Sequence, residues 1–417
     1  MFQFRPYQVP IFEMAKPILS FEKHVYLVLE PRLGKTYISY ALCDHVNAKD
    51  VLYITKIKNI KNALKDHKNG GFKFNVTVTN YEQAHKIDYE FDLIIIDEAH
   101  NYGTFPKPSL RYKNLKGIAK KAEYIIWLSA TPTPENYSQI FHQLQLSNNS
   151  PFKEYKSFYK WAVDYVEKKS KYIGSRSVVD WSGGISKKIL PIFDKFRVCY
   201  TQEQAGFKFV VKETFINVKM MDSTKKVIDI LKRDRIVNGK TGVILADTGG
   251  KLFQKIHQLC SGTVKLEDGR AVTIDDTKAQ LIPQMSGKLA VYYVFKEERE
   301  MLVKVLGDKI TEDDQEFQES TDKIYISQVI SGREGVKIDT ADKLIMFNIG
   351  HAYLSYRQTM DRIQDFERDT QPEMVWLFSD FGVERSIYDV VKNTKTNFTY
   401  NHYKKIDLKQ KQIEAIL

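Results

Sequence analysis

Hydrophobic positions along this chain come in short, dense runs, each closed by a polar or glycine-bearing break. VYLVLE (Val25–Glu30), VLYIT (Val51–Thr55), LIII (Leu93–Ile96) and YIIWL (Tyr124–Leu128) are runs of this kind. Without polar alternation, such runs suit strands buried on both faces, the condition of a parallel sheet. Between them lie segments of helical period, one from Thr36 to Cys43 and one after Thr55 that carries Lys56, Lys58, Lys61, Lys65 and Lys68. Strand and helix in alternation predict βα units with right-handed crossovers. Upstream, a short helical pattern follows FRPYQ (Phe4–Gln8), and Pro17 is expected to break it.

The pattern changes after Ser150. KEYKSFYKWAVDYVEKK (Lys153–Lys169) reads as a helix with aromatics on one side, a core-packing stripe, and lysines on the other. SGG at Ser182–Gly184 marks a loop, and a hinge is expected between Arg197 and Lys212. Helical stretches near 223–238 and 249–260 follow, and then Asp268-Gly269 between alternating runs predicts a hairpin. KLAVYYVF (Lys288–Phe295) opens a second βα series that continues through KIYIS, an acidic linker apart, and KLIMFN. The expected division is 1–150, 151–197 and 198–417, with a basic tail of helical pattern from His402.

At 417 residues the chain exceeds one ordinary core and fits two or three domains. Its 43% hydrophobic and 28% charged content excludes a disordered polymer. A formal charge of +11 points to an anionic partner, nucleic acid first. Cys43, Cys199 and Cys260 have no CxxC spacing, so neither a zinc site nor a disulfide framework is suggested, and a reducing compartment is expected. No apolar run reaches the ~20 residues that cross a bilayer, and the amino terminus lacks signal-peptide order. A cytoplasmic location is the expectation.

Candidate chemistry sits where the runs end. PRLGKT (Pro31–Thr36), between a strand and a helix, is an arrangement that turns backbone N–H groups and a helix amino terminus toward phosphate oxygens. Lys35 would meet the β and γ phosphates and Thr36 a magnesium ion. Asp97 and Glu98 close the LIII strand, so both acids reach the carboxyl edge of the sheet. Ser129 and Thr131 close YIIWL at the same edge.

In order, PYQ, GKT, DEAH 62 positions after Lys35, and SATP 32 positions after Asp97 resemble the motifs of a superfamily 2 helicase. SATPTPENYSQIFHQL is similar to the third motif of its Swi/Snf-type branch, SGREGVKIDTAD (Ser331–Asp342) to the fifth, and YRQTMDRIQDFERD (Tyr356–Asp369) to the sixth. The resemblance implies an α/β fold of two tandem RecA-like parallel-sheet lobes with a helical, basic insertion between them. It also implies ATP with Mg2+ as cofactors and a DNA-stimulated ATPase that moves on duplex or branched DNA. Compact phage-encoded DNA helicases are similar in length, so a monomeric phage protein in the bacterial cytoplasm, targeted by a protein partner, fits the same reading.

By this resemblance Arg5, Gln8, Leu33, Gly34, Lys35 and Thr36 would bind ATP, with Thr36 and Asp97 on the metal. Glu98 would polarise water; Arg362 would be the arginine finger, with Arg368 as its companion. His100, Ser129, Thr131, Gly335 and Gln358 would couple hydrolysis to motion. Lys56, Asn80 and Tyr81 would touch nucleic acid. The chain departs from the family in two places. Its phosphate loop has Leu29 and Arg32 at positions where glycine is common, and Asp365 replaces the second arginine of the sixth motif. Two alternatives share these motifs, an RNA helicase of the same superfamily and an ATP-gated nucleic-acid-binding module without turnover.

Overall fold

A computed structural model describes residues 3–173, 176–332, 336, 338–394, 397–399 and 402–405. The chain forms two compact units, Met1–Phe207 and Lys208–Leu417.

In the first unit, β1 (His24–Leu29), β2 (Asp50–Thr55), β3 (Asn75–Asn80), β4 (Leu93–Ile96) and β5 (Tyr124–Leu128) are the strands expected from the apolar runs. With β8 (Arg197–Tyr200) they make one six-stranded sheet in the order β3-β2-β4-β5-β1-β8, parallel throughout. All four residues of β4 are buried, as its unbroken apolar run requires. The unit boundary therefore falls ten residues beyond position 197: β8 pairs with β1 from Tyr26↔Arg197 to Leu29↔Tyr200 and cannot start a second lobe.

Pro17 does not end the first helix, which runs Gln8–Glu22. Ile11, Ala15 and Leu19 form a fully buried stripe at a spacing of four, while Pro17 and Glu13, whose carbonyl loses its partner, face solvent.

The segment after Ser150 is only partly helical. A helix at Phe158–Tyr165, the antiparallel ribbon of β6 (Lys169–Ile173) and β7 (Arg176–Asp180), and a helix at Ser186–Phe193 make it up. Phe158, Trp161, Ala162, Ile189 and Phe193 belong to the same buried cluster as Ile94, Ile96 and Trp127, so the aromatic stripe extends the core of the first sheet.

The second unit has its own parallel sheet, containing β9 (Lys212–Val218), β14 (Leu289–Tyr293), β15 (Ile310–Thr311), β16 (Ile324–Gln328), β17 (Lys343–Met346) and β18 (Glu373–Ser379). Their order is β15-β16-β14-β17-β18-β9. Two ribbons stand apart from it. One pairs β10 (Ile236–Gly239) with β11 (Gly242–Leu245), and the other pairs β12 (Thr263–Lys265) with β13 (Ala271–Thr273) around Asp268-Gly269 as expected. The helix before β10 stops at Asp234 because Arg235 turns left-handed at φ 66°, so 236–238 are strand where helix was expected. Two tandem parallel-sheet α/β lobes are thus the architecture of the chain.

Candidate functional site

The carboxyl edge of the first sheet gathers most of the residues singled out in the sequence. Behind β1 the chain turns through Arg32 at φ 66° and Gly34 at φ 78° before the helix Lys35–His45 begins. Gln8 holds that turn: its amide donates to Leu33 O at 3.2 Å and its carbonyl oxygen accepts from Arg5 N–H at 3.0 Å. Only glycine fits at position 34, where a Cβ would lie 2.1 Å from Gln8 Nε2 in a backbone conformation that side chains disfavour. Lys35 Nζ donates to Leu29 O at 2.8 Å and Glu30 O at 3.3 Å, so its ammonium lies inside the bend of the loop.

Asp97 and Glu98 stand at the end of β4, both half-buried. The parallel pairing Ile54↔Ile96 sets Thr55 level with Asp97, and Thr55 Oγ1 donates to Asp97 Oδ2 at 2.7 Å. Burial, reinforced by Glu98 next door, raises the Asp97 carboxyl to about 6 against the opposing pull of the Thr55 hydroxyl and Lys35. Burial pushes Glu98 the same way, but the His100 ring and the charges of Lys35 and Lys56 outweigh it and hold that carboxyl below the usual range. Glu98 has φ 44°, a left-handed geometry rare for a side chain and concentrated at functional sites. Thr36 Oγ1 lies 3.4 Å from Tyr53 OH on β2.

A polar chain links these acids to the loop after β5. His100 Nδ1 is 3.3 Å from Glu98 Oε2 and 3.0 Å from Ser129 Oγ, and the Thr131 N–H donates to Ser129 Oγ at 3.1 Å. Below it, Tyr26 OH donates to Gln143 Oε1 at 2.7 Å, and Gln143 Nε2 donates to Pro132 O at 2.8 Å. Arg5, Gln8, Leu33, Gly34, Lys35, Thr36, Asp97, Glu98, His100, Ser129 and Thr131 are therefore brought together or joined by shared partners.

Asn80 and Tyr81 depart from their expected place on a nucleic-acid surface. Asn80 Oδ1 accepts from the N–H groups of Glu82 and Gln83, both at 3.0 Å, and so caps a turn. Tyr81 is buried, with its hydroxyl donating to Asp97 O at 2.9 Å, because its ring completes the core under the acidic strand. Lys56 follows β2 half-exposed, and its charge acts on Glu98.

In the second unit the helix of the sixth motif ends at Met360, so Gln358 is helical while Arg362 sits in the tight turn Asp361–Ile363 beyond it. Arg362 Nη1 donates to Val336 O at 3.4 Å. Among the described residues the Gln358 amide oxygen is buried without a hydrogen-bond partner. Arg368 has a different role from the one expected. Its guanidinium donates to the carbonyls of Asp339 (2.5 Å), Ala341 (2.7 Å), Ile363 (3.2 Å) and Thr370 (2.9 Å), which commits all three nitrogens to tying the fifth-motif segment to the sixth. Gly335 lies outside the described residues.

Thr55, Tyr26 and Gln202 carry no motif, Gln143 lies in the third-motif stretch without being singled out there, and the partners of all four are visible only in three dimensions. Gln202 donates from its backbone N–H to Glu30 Oε2 at 2.7 Å and from Nε2 to Pro31 O at 3.1 Å, bracing the phosphate loop opposite Gln8. A glutamine just past the last strand of a sheet gives no signal in one dimension.

Residues 52–135 match the family model described as type III restriction enzyme, res subunit, a span that holds the acids and Ser129 but neither Lys35 nor Arg362. RNA polymerase-associated protein RapA of Vibrio cholerae serotype O1 is 33% identical over 87 residues, which is 21% of this chain and 9% of that protein. RapA of Vibrio vulnificus is 31% identical over the same lengths and shares. The match thus spans about a tenth of the length of these relatives. The SWI2/SNF2 ATPase core of Sulfolobus solfataricus in complex with dsDNA aligns over 94% of this chain and 91% of its own, at 15% identity and a TM-score of 0.44. From β2 to the loop after β5 the chain is thus similar to the res subunit of type III restriction enzymes, and over 87 residues to RapA.

Proposed function

We propose that the chain is a Mg2+-dependent ATPase of the Swi/Snf type that couples hydrolysis to movement on DNA. One observation carries this reading: Asp97 and Glu98 sit side by side at a sheet edge within the field of Lys35, with His100 linking Glu98 to Ser129. The residues suit ATP and magnesium on physical grounds. The turn through Gly34 exposes a helix amino terminus behind a lysine, Thr36 carries a hydroxyl in the first turn of that helix, and Asp97 holds a carboxylate at the end of β4. Bound there, MgATP supplies a γ-phosphoryl group for transfer to water.

Lys35 balances phosphate charge once its carbonyl contacts are exchanged for phosphate oxygens. Asp97, oriented by Thr55, faces the metal shell. Glu98, held ionised by His100, accepts a proton from the attacking water. Any change in the Glu98 hydrogen bond passes through His100 to Ser129 and the Thr131 backbone, a short path from the chemistry to the loop after β5. Arg362 is the guanidinium assigned to transition-state charge. The formal charge of +11 supports a nucleic-acid track, and DNA is the form of it taken here.

Glu98→Gln tests the assignment. It keeps the side-chain shape and removes the base, so DNA-stimulated phosphate release should fall by about 10²-fold or more while a fluorescent ATP analogue still binds. Normal turnover by the variant would remove Glu98 from the role. Stronger stimulation by RNA than by DNA would move the substrate to RNA.

A further inference from the structure

The carboxyl edge of the second sheet holds a cavity of about 630 Å3 that none of the residues discussed above lines. It opens beyond β14, β16 and β17, where Val294, Val329 and Gly350 leave the sheet. This is the edge at which open α/β folds take ligands, and the volume falls within the ~300–1,000 Å3 of small-molecule sites.

Phe253, His257, His351 and Phe398 all line it and pack on one another: Phe253 lies at 21° to Phe398, 24° to His257 and 36° to His351, and His351 at 30° to Phe398, while Phe295, also in the wall, meets His257 edge to face at 75°. Such rings offer a flat guest stacking surface that an aliphatic wall lacks. His257 is fully buried and held neutral, its pKa lowered to about 3, so no charge stands at that ring. Gln254, Ser355 and Thr399 add hydrogen-bonding edges to the same cavity.

The wall is preformed. Phe398 N–H donates to His351 O at 2.8 Å and Tyr353 N–H to Asn397 Oδ1 at 3.1 Å, which fixes residues 397–399 against the sheet edge. Tyr403 packs 4.9 Å from Phe253, and Lys404 and Lys405, next in the chain, are exposed.

We propose that this cavity receives an unpaired nucleobase, its plane on the lining rings and its polar edge toward Gln254, Ser355 and Thr399, with Lys404 and Lys405 on the flanking phosphates. The inference rests on the nucleic-acid reading above and adds to it a preference for strands with an accessible base. Flat walls with polar edges and a cationic rim favour a base over an apolar protein side chain. Stacking of this kind tolerates any sequence.

The test uses the full chain and an oligonucleotide carrying 2-aminopurine, single-stranded or paired. Wild type should quench the unpaired probe on binding. Ala352→Trp, which places a ring inside the cavity, should abolish the quench and weaken single-strand binding about tenfold, the scale of one lost stacked base, with duplex affinity unchanged. Phe398→Ala should weaken single-strand binding in the same direction without filling the cavity, which guards against a folding artefact of the first variant. Competition by adenosine but not by N-acetyltryptophanamide is expected, and the reverse would make the cavity a protein-docking site. Duplex binding with no quench in wild type, or an unchanged quench in both variants, overturns the base slot and leaves the translocase reading standing. Failure to bind either nucleic acid overturns both.

Discussion

Asp97, the carboxyl proposed for the metal shell, is held at a cost to stability. Its folded pKa of about 6 lies above the ordinary aspartate value because burial and Glu98 oppose ionisation. Ionising it in the folded state therefore destabilises the fold, a penalty fully present above pH 6 and lost as the pH falls through 6 toward the unfolded value near 4. Asp97→Asn keeps an acceptor for Thr55 and removes the charge. It is expected to raise unfolding stability at pH 8 by about 1–3 kcal/mol and by much less at pH 4.5, as read by urea denaturation at the two pH values. A gain that does not depend on pH would mean that the carboxyl is not strained. The same variant should lose activity, as a residue placed on a metal shell would.

At the scale of elements, two arginines six positions apart separate into two kinds of work. Arg362, in the turn after the sixth-motif helix, has a 3.4 Å contact with Val336 O, whereas Arg368 is nearly buried and bonded to four carbonyls. Removing Arg368 leaves part-buried carbonyl acceptors without these donors, so Arg368→Ala should destabilise the second unit by about 1–3 kcal/mol. Arg362→Ala should leave the thermal midpoint near that of wild type and cut ATP turnover severely. Calorimetry and phosphate release on the two variants decide the matter, and the opposite pairing of effects would exchange the roles. Arg362 and Gln358 are four positions apart, a spacing that would put them on one face of an unbroken helix. The helix ends between them because Asp361–Ile363 tightens into a 3-10 turn, which residue counting does not reveal.

For the whole molecule the governing quantity is charge. An excess of 63 lysines and arginines over 52 acids leaves +11 to meet a polyanion. Binding to duplex DNA should therefore weaken linearly on a log–log plot against salt, with a slope of about −0.9 for each phosphate neutralised. Titrations between low and physiological salt give that slope, and a value near zero would detach the net charge from function. The lysines expected to grip nucleic acid after β2 remain on the surface, but Asn80 and Tyr81, expected beside them, went into the core, because a strand end at a sheet edge can face the acids as readily as the solvent.

By itself the amino-acid sequence determined the apolar strands β1 to β5, the order of the motifs and the class of fold, because unbroken apolar runs must be buried on both faces and turn residues can close them in few ways. It also singled out the loop after β1 and the two acids after β4, whose placement is local. Tertiary structure alone decided which partners tune those groups. Thr55 reaches Asp97 only because β2 lies beside β4, and Gln202 braces Pro31 only because β8 returns to pair with β1. Arg368 turns inward only because the loops before β17 and β18 meet around it. Such contacts join residues tens to hundreds of positions apart, and no periodicity along the chain encodes that distance.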